Sequence, residues 1–193
     1  MTEMSIAGKI PKNTIDEDGL LVKEAQRNPQ QFKKIYQKWL TPVYRYFYFR
    51  VGNVKDAEDL TAQVFLRIYE SLPRYENRGC FSAWLFSVAH ARMVDFYRRD
   101  KKEVSLDVMD MDIASLTSDE NSPTQDDLRQ LLALLKTLNE EEQELIRLRF
   151  FAGLSFAEIG LLLNRKEDTV RKSVSRLLNR LQSQMEVHHD TTL

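Results

Sequence analysis

The chain has 193 residues with a formal net charge of −1, and it contains only 6 Gly and 5 Pro. This length and composition favour an all-α protein of one domain or two small ones. The single cysteine, Cys80, excludes a disulfide framework and cannot by itself form a cysteine-based zinc site. No apolar run is long enough to cross a bilayer, and residues 1–18 lack the apolar core of a signal peptide, so we expect a cytoplasmic location.

Four helices are predicted in a first domain that covers residues 16–102. Their expected bounds are 19–27, 30–51, 54–72 and 81–99. Each boundary carries residues that begin or end helices, namely Asn28-Pro29, Gly52-Asn53, Pro73 and Gly79. In the third and fourth of these helices the apolar residues fall on one stripe, which predicts that both helices face a common core.

The fourth predicted helix ends in positive charge. Its basic residues are Arg92, Arg98, Arg99, Lys101 and Lys102. Single-stranded nucleic acid is often held by positive charge beside exposed aromatic rings. This end of the helix is therefore a candidate nucleic-acid surface.

Residues 103–125 are predicted to form a flexible acidic linker. Eight acidic residues and no Lys or Arg lie between positions 103 and 127, and the segment shows no sustained periodicity. Such a composition cannot bury enough apolar surface to hold a fixed structure. The linker separates the first domain from a second one at residues 126–186, and a plain acidic spacer is its simplest interpretation.

Residues 153–181 are predicted to form two helices joined by a tight turn. Ser155 is a good N-cap, and Glu158 follows at the capping-box spacing. Asn164 tolerates the left-handed backbone that a sharp turn needs. A second helix is predicted from about Lys166.

This second helix has one apolar face and one basic face. The apolar stripe comprises Val170, Val174, Leu177, Leu178, Leu181 and Met185. The basic face comprises Arg171, Lys172, Arg176 and Arg180. A short capped helix, a tight turn and a longer basic helix are typical of a helix-turn-helix that enters the DNA major groove. The alternative is an ordinary helical hairpin with a solvated charged face.

Several segments resemble one known family, the bacterial extracytoplasmic-function (ECF, group 4) sigma factors of RNA polymerase. Three segments resemble its region 2: DAEDLTAQVFLR from Asp56, FSAWLFSVA from Phe81 and VDFYRR from Val94. The segment LRFFAGLSFAEIG from Leu148, continued by DTVR from Asp168, resembles its region 4. The resemblance covers about residues 16–185. It implies an all-α protein in which a region 2 helical bundle and a region 4 helix-turn-helix are joined by the acidic linker.

The resemblance also implies a function and partners. Such a protein would bind core RNA polymerase through the β′ coiled coil and the β flap, recognise the −35 and −10 promoter elements and promote strand opening. An anti-sigma factor would be a further partner, and it could hold the chain at a membrane. The sequence has no phosphate-binding glycine loop, no nucleophile elbow and no metal-ligand pattern of histidines. We therefore expect no catalysis, no cofactor, no metal, no small-molecule substrate and no direct membrane insertion.

The resemblance assigns candidate residues to three sites. Polymerase binding is expected at Asp56, Asp59, Gln63 and Arg67, whose acidic members suit a basic partner surface. Recognition and melting of the −10 element are expected at Tyr75, Asn77, Arg78, Arg92, Arg98 and Arg99, since a flipped base needs aromatic and hydrogen-bonding groups. Recognition of the −35 element is expected at Lys166, Arg171, Lys172, Ser175 and Arg176.

Two positions in the first helix of the helix-turn-helix depart from the family pattern. Gly160 replaces the usual Ala, which we interpret as a close approach of the two helices. Leu161 belongs to a run of three leucines, and a helix cannot point all three at one core. We therefore expect Leu161 to be exposed and to be a candidate contact for an inhibitory partner.

Two other functions remain open on the sequence. A dimeric transcriptional regulator would use the helix-turn-helix on an operator and the first domain as a sensor, which leaves the DAED and FSAWL segments unexplained. A helical adaptor that binds only proteins would have no need for the basic face of the second helix.

Overall fold

The computed structural model describes residues 17–76, 80–99, 133, 135 and 137–190, with residues 99 and 185–190 described by their backbone alone. Within these residues the secondary structure is helical, which confirms the predicted all-α class. The seven α-helices of the described ranges are α1 (Glu17–Arg27), α2 (Phe32–Val51), α3 (Val54–Ser71), α4 (Phe81–Arg99), α5 (Glu140–Ile146), α6 (Phe156–Leu162) and α7 (Glu167–Asp190). The predicted linker at 103–125 lies outside the described residues.

The predicted helix boundaries of the first domain hold because the expected capping residues act locally. The Asn28 side chain accepts a hydrogen bond from the Gln30 amide at 3.0 Å, and Gly52 takes the left-handed conformation at the end of α2, with φ of 76°. The end predicted before Pro73 is also confirmed, since α3 ends at Ser71 with Leu72 as its C-cap. A separate 3-10 turn, Leu72–Arg74, follows it, because proline is tolerated in the first turn of a helix.

Helices α1 to α4 form a bundle, which we call the N-terminal half (residues 17–99). Helix α2 packs along α3, and α3 packs along α4. The interior is aromatic: Tyr46, Phe47, Phe81 and Phe86 are each almost completely buried. The stripes of α3 and α4 that the sequence predicted to face a core, including Leu60, Val64, Ile68, Leu85 and Ala89, are buried in it.

Helices α5 to α7 form the C-terminal half (residues 137–190). Asn139 and Glu142 cap the start of α5 with a reciprocal capping box. A π-helical turn, Arg147–Phe151, follows α5 and leads through Gly153 to α6. The apolar stripe of α7 packs inward, since Val170, Val174, Leu177 and Leu181 are buried.

The two halves are packed against each other. Buried side chains from both halves belong to one continuous hydrophobic cluster. Helix α2 contacts the π-helical turn, where the Phe49 and Phe151 rings stack with centroids 3.6 Å apart, and α4 contacts α6. The sequence left the relative arrangement of the two predicted domains open, and the structure places them in direct contact.

Candidate promoter and polymerase interfaces

The turn between α6 and α7 has the geometry that the sequence predicts. Ser155 and Glu158 form a complete capping box at the start of α6, and Asn164 adopts φ of 53°. Gly160 lies against the following turn: a Cβ atom at this position would be 2.7 Å from the Arg165 carbonyl oxygen. Because that oxygen belongs to the backbone, the close approach requires a residue without a side chain. The interpretation of Gly160 as a contact between the two helices is confirmed.

The candidate −35 residues lie together on the open surface of α7. Arg171, Lys172, Ser175 and Arg176 are all exposed, and their spacing places them on one side of the helix. Lys166 is exposed just before the helix begins. Arg180, which the sequence placed on the same basic face, instead forms an ion pair with Glu142 at 2.8 Å and so ties α7 to α5.

Arg171 is held in place by neighbours on both of the last two helices. Its guanidinium forms ion pairs with Glu167 and with Asp168, the latter at 3.6 Å. It also lies 5.7 Å from the centre of the Phe156 ring, and Arg149 lies 4.7 Å from that same ring. The side chain of Arg171 remains 54% exposed, so its guanidinium can exchange its carboxylate partners for a nucleic acid.

The candidate polymerase-binding residues follow one face of α3, but they are not equivalent. Asp59, Gln63 and Arg67 are exposed at successive turns of the helix. Asp56 is half-buried and belongs to the N-terminal cap of α3: its carboxylate accepts a hydrogen bond from the Asn53 side-chain amide at 2.7 Å. Asp56 therefore has a structural role beside any role in docking.

Two residues that the sequence assigned to different sites meet in the structure. The guanidinium of Arg92, a −10 candidate, donates hydrogen bonds to the side-chain oxygen of Gln63, a polymerase-binding candidate. Both residues line an open groove between α3 and α4, together with Leu66 and Arg67. Leu66 is 59% exposed and, with Val64, Val88 and Ala91, gives the groove an apolar component beside its charged side chains.

The other −10 candidates that the structure describes, Tyr75 and Arg98, do not share a pocket. The Tyr75 ring is half-buried and lies 4.2 Å from the Trp84 ring near the start of α4. Arg98 is exposed near the other end of α4, about 21 Å from Trp84 along the helix axis. Asn77 and Arg78 lie outside the described residues, as does the side chain of Arg99. The described −10 candidates are therefore spread along the length of α4.

A buried ionic network at the boundary between the two halves was not predicted from the sequence. Its centre is the carboxylate of Glu144, which is 8% exposed. That carboxylate accepts hydrogen bonds from Tyr46 Oη at 2.8 Å, from the Arg50 guanidinium and from His90 Nδ1 at 3.3 Å. Arg147 approaches the same carboxylate from its own half at 3.3 Å.

The electrostatics of this network favour the ionised carboxylate. Burial alone would raise the pKa of Glu144, but the hydrogen bond from His90, the charge of Arg50 and the hydrogen bond from Tyr46 together lower it to about 2. Glu140 also contacts Arg50, at 2.6 Å. Arg50 follows directly on the aromatic run from Tyr46 to Phe49, but Arg50 and its partner Glu144 do not lie near each other in the chain.

Two further residues that the sequence analysis named are Leu161 and Cys80. Leu161 is half-buried, as are Leu162 and Leu163, so the expectation that it is exposed was wrong: the contacts around α6 partly cover all three leucines. Burial raises the pKa of the Cys80 thiol, which disfavours the reactive thiolate. Within the described residues no group of His, Cys, Asp and Glu could hold a metal ion, and none of the helices has the length and apolar character to span a membrane.

These elements define a helix-turn-helix protein with an additional helical bundle, and comparisons with known proteins identify both parts. Residues 35–103 match the model of sigma-70 region 2, and residues 128–181 match that of sigma-70 region 4. The chain is 32% identical over 158 residues to the ECF RNA polymerase sigma factor BldN of Streptomyces coelicolor, covering 78% of this chain and 59% of BldN. It is 25% identical over 165 residues to the ECF sigma factor SigX of Bacillus subtilis, covering 82% of this chain and 85% of SigX.

Solved structures agree on the fold. CnrH, in complex with the cytosolic domain of CnrY, matches with a TM-score of 0.63 at 20% identity, over 88% of this chain and 97% of that one. The sigma factor RpoE from Bartonella quintana, in complex with the anti-sigma factor NepR, matches with a TM-score of 0.59 at 24% identity, over 82% of this chain and 98% of that one. The chain belongs to the ECF family of RNA polymerase sigma factors.

Proposed function

We propose that this chain is a transcription initiation factor that binds bacterial core RNA polymerase, recognises −35 and −10 promoter elements and promotes strand opening. The observation that carries the proposal is the presence of both sigma regions in one chain, with the basic face of α7 and the polar face of α3 exposed together. A protein that only bound an operator would need the first of these surfaces and not the second.

The C-terminal half is suited to reading duplex DNA. Arg171 and Arg176 are the residues that we assign to guanine edges, because a guanidinium pairs with two acceptors of guanine in the major groove. Lys166, Lys172 and Ser175 are assigned to phosphates, where they would set the register of α7 on the duplex. The Phe156 ring restricts the Arg171 guanidinium before DNA arrives, which lowers the entropy lost on binding.

The N-terminal half is assigned to polymerase and to the −10 element. Asp59, Gln63 and Arg67 would contact the β′ coiled coil along the exposed face of α3. Arg98 and Arg99 would hold a single strand along α4, while the segment from Tyr75 to Arg78 would hold a flipped base. Because Arg92 donates a hydrogen bond to Gln63, we assign Arg92 to the groove between α3 and α4. This groove would lie where the polymerase-binding surface meets the −10 surface.

Other properties follow from this function. The chain would contribute binding and strand separation, while the polymerase supplies the chemistry, so we propose that it is not an enzyme. Its place of action would be the cytoplasm, where the polymerase and the chromosome lie. By analogy with the RpoE–NepR complex, an anti-sigma factor is a proposed partner, and the β flap is the proposed polymerase contact of the C-terminal half. We propose domain bounds of 16–102 and 126–186 with the linker between them.

The test is run-off transcription with the purified chain and bacterial core polymerase on promoter templates selected from a random library. We expect transcripts that start at one position and depend on both the chain and a shared pair of sequence elements. If the chain shifts DNA on its own as a dimer but never directs core polymerase, it is an operator-binding regulator. If it binds neither DNA nor polymerase, the adaptor function is favoured.

A further inference from the structure

One side chain joins the last turn of α1 to the backbone that follows α3. The Gln26 side-chain amide donates a hydrogen bond to the Leu72 carbonyl oxygen at 2.9 Å and another to the Tyr75 carbonyl oxygen at 2.7 Å. A primary amide has two donor hydrogens, so both are used in these contacts. Gln26 therefore spans the 3-10 turn Leu72–Arg74 from its first residue to the residue after its end.

These hydrogen bonds restrain the backbone from which the Tyr75 side chain projects. Leu72 is 3% exposed, so burial holds the start of the turn in the core. Tyr75 has an extended backbone, with φ of −69° and ψ of 122°, and its amide donates to the Leu72 carbonyl oxygen at 3.1 Å. The bond from Gln26 acts on the carbonyl side of Tyr75, so both sides of this residue are restrained.

Helix α1 is a firm support for the Gln26 amide. Its side chains Val22 and Ala25 are buried against the bundle. Near the other end of the helix, the Asp18 carboxylate accepts a hydrogen bond from the Trp39 indole at 3.2 Å. Because a packed helix positions a side chain more precisely than a loop does, Gln26 is suited to fixing its two backbone partners.

The restrained residue carries an aromatic ring that lies among others. The Tyr75 ring centroid is 4.2 Å from that of Trp84, with 34° between the ring planes, and 5.8 Å from that of Phe81, which it meets edge to face. Tyr75 is half-buried, so part of the residue remains uncovered. A base that has left the duplex regains stacking energy on an aromatic ring, and the orientation of that ring decides how well the two stack.

We propose that Gln26 is a positioning residue for −10 recognition: it holds the backbone of Tyr75 so that the Tyr75 ring stays beside Trp84 and can stack with an unpaired base. The inference rests on the proposed function for its consequence at the promoter, although the position of the ring can be measured without polymerase. It extends the −10 site to α1, a helix to which the sequence analysis assigned no site residue.

The first experiment measures how well the Tyr75 ring covers Trp84 in the purified full chain. Gln26→Met keeps the length of the side chain and removes both donors. The matched control, Glu24→Gln, weakens a different contact of α1, the ion pair with Lys34 on α2. Quenching of tryptophan fluorescence by acrylamide reports mainly on the half-buried Trp84, because the chain has two tryptophans and the other, Trp39, is 8% exposed.

We expect Gln26→Met to raise the quenching constant, since the Tyr75 ring then covers Trp84 for less of the time. Glu24→Gln should leave the constant at the wild-type value. Gln26→Lys should do the same, because its ammonium group can donate to both carbonyl oxygens. An unchanged constant in Gln26→Met, or an equal rise in either of the other two variants, overturns the proposal.

The second experiment measures −10 recognition with the chain bound to core polymerase. The probe is a partly single-stranded promoter selected by the run-off test, with an abasic site at each −10 position in turn. The wild type should lose most affinity at one position, that of the flipped base. At this position Gln26→Met should reduce the ratio of intact to abasic affinity by about tenfold, as expected for losing the stacking of one base. Its affinity for core polymerase should stay at the wild-type value.

The three variants separate positioning from a general loosening of α1. A wild-type ratio in Gln26→Met overturns the proposal, and so does an equal reduction in Glu24→Gln or in Gln26→Lys. If the wild-type chain with core polymerase does not bind the probe at all, the proposed function is refuted, and the quenching result alone decides whether Gln26 positions Tyr75.

Discussion

Acidification should separate or destabilise the two halves through a single carboxylate. Glu144 has a pKa of about 2 in the packed structure, against an ordinary value of 4.5. A carboxyl group whose pKa is lowered by folding contributes stability above its ordinary pKa and loses that contribution as the pH falls toward the lowered value. The relevant range is therefore from about pH 5 down to about pH 2, and protonation there weakens the contacts to Tyr46, Arg50, His90 and Arg147.

The magnitude follows from the two pKa values. The full shift, from 4.5 to about 2, corresponds to about 3 kcal/mol. Between pH 5.5 and pH 3 the packed structure should lose about 2 kcal/mol of this contribution, with most of the loss below pH 4. The side chain is well buried, so screening by solvent removes little of this effect.

Urea denaturation at several pH values between 5.5 and 3 provides the measurement. The free energy of unfolding of Glu144→Gln is subtracted from that of the wild type at each pH, which cancels the titration of the other carboxylates. We expect this difference to shrink by about 2 kcal/mol across the range. The same subtraction for Glu141→Gln is the matched control, because it removes an exposed carboxylate from the same helix. A wild-type minus Glu144→Gln difference that does not change with pH refutes the assignment of a low pKa to Glu144.

Three further substitutions test the rest of the structure. Arg171→Ala should cost about 1–3 kcal/mol of discrimination for the −35 element in holoenzyme binding assays, whereas Arg27→Ala, an equal charge loss on α1, should not; equal losses would argue against base readout. Asp59→Arg should reduce affinity for core polymerase in a competition assay more than Glu58→Arg does, and the reverse order would place the docking face elsewhere. Gly160→Ala should lower the free energy of unfolding by about 1–2 kcal/mol, because overpacking against the Arg165 carbonyl exceeds the gain in helix propensity; a more stable variant would refute the close approach.

Local features of the fold could be determined from the sequence alone. The capping box of Ser155, the left-handed Asn164 and the cap at Asn28 each depend on residues within a few positions of one another, so spacing is enough to predict them. The same holds for the two sigma regions, whose motifs are continuous segments. Even Gly160 could be interpreted, because the turn it faces begins only five residues later, at Arg165.

Only the tertiary structure decided which distant side chains share a site. Tyr46 and Glu144 are 98 positions apart, and their hydrogen bond exists because α2 and α5 pack at the boundary between the halves. Gln63 and Arg92 meet in the same way across the groove between α3 and α4. Residue type and spacing do not identify such partners, because the packing of the helices decides which distant side chains meet.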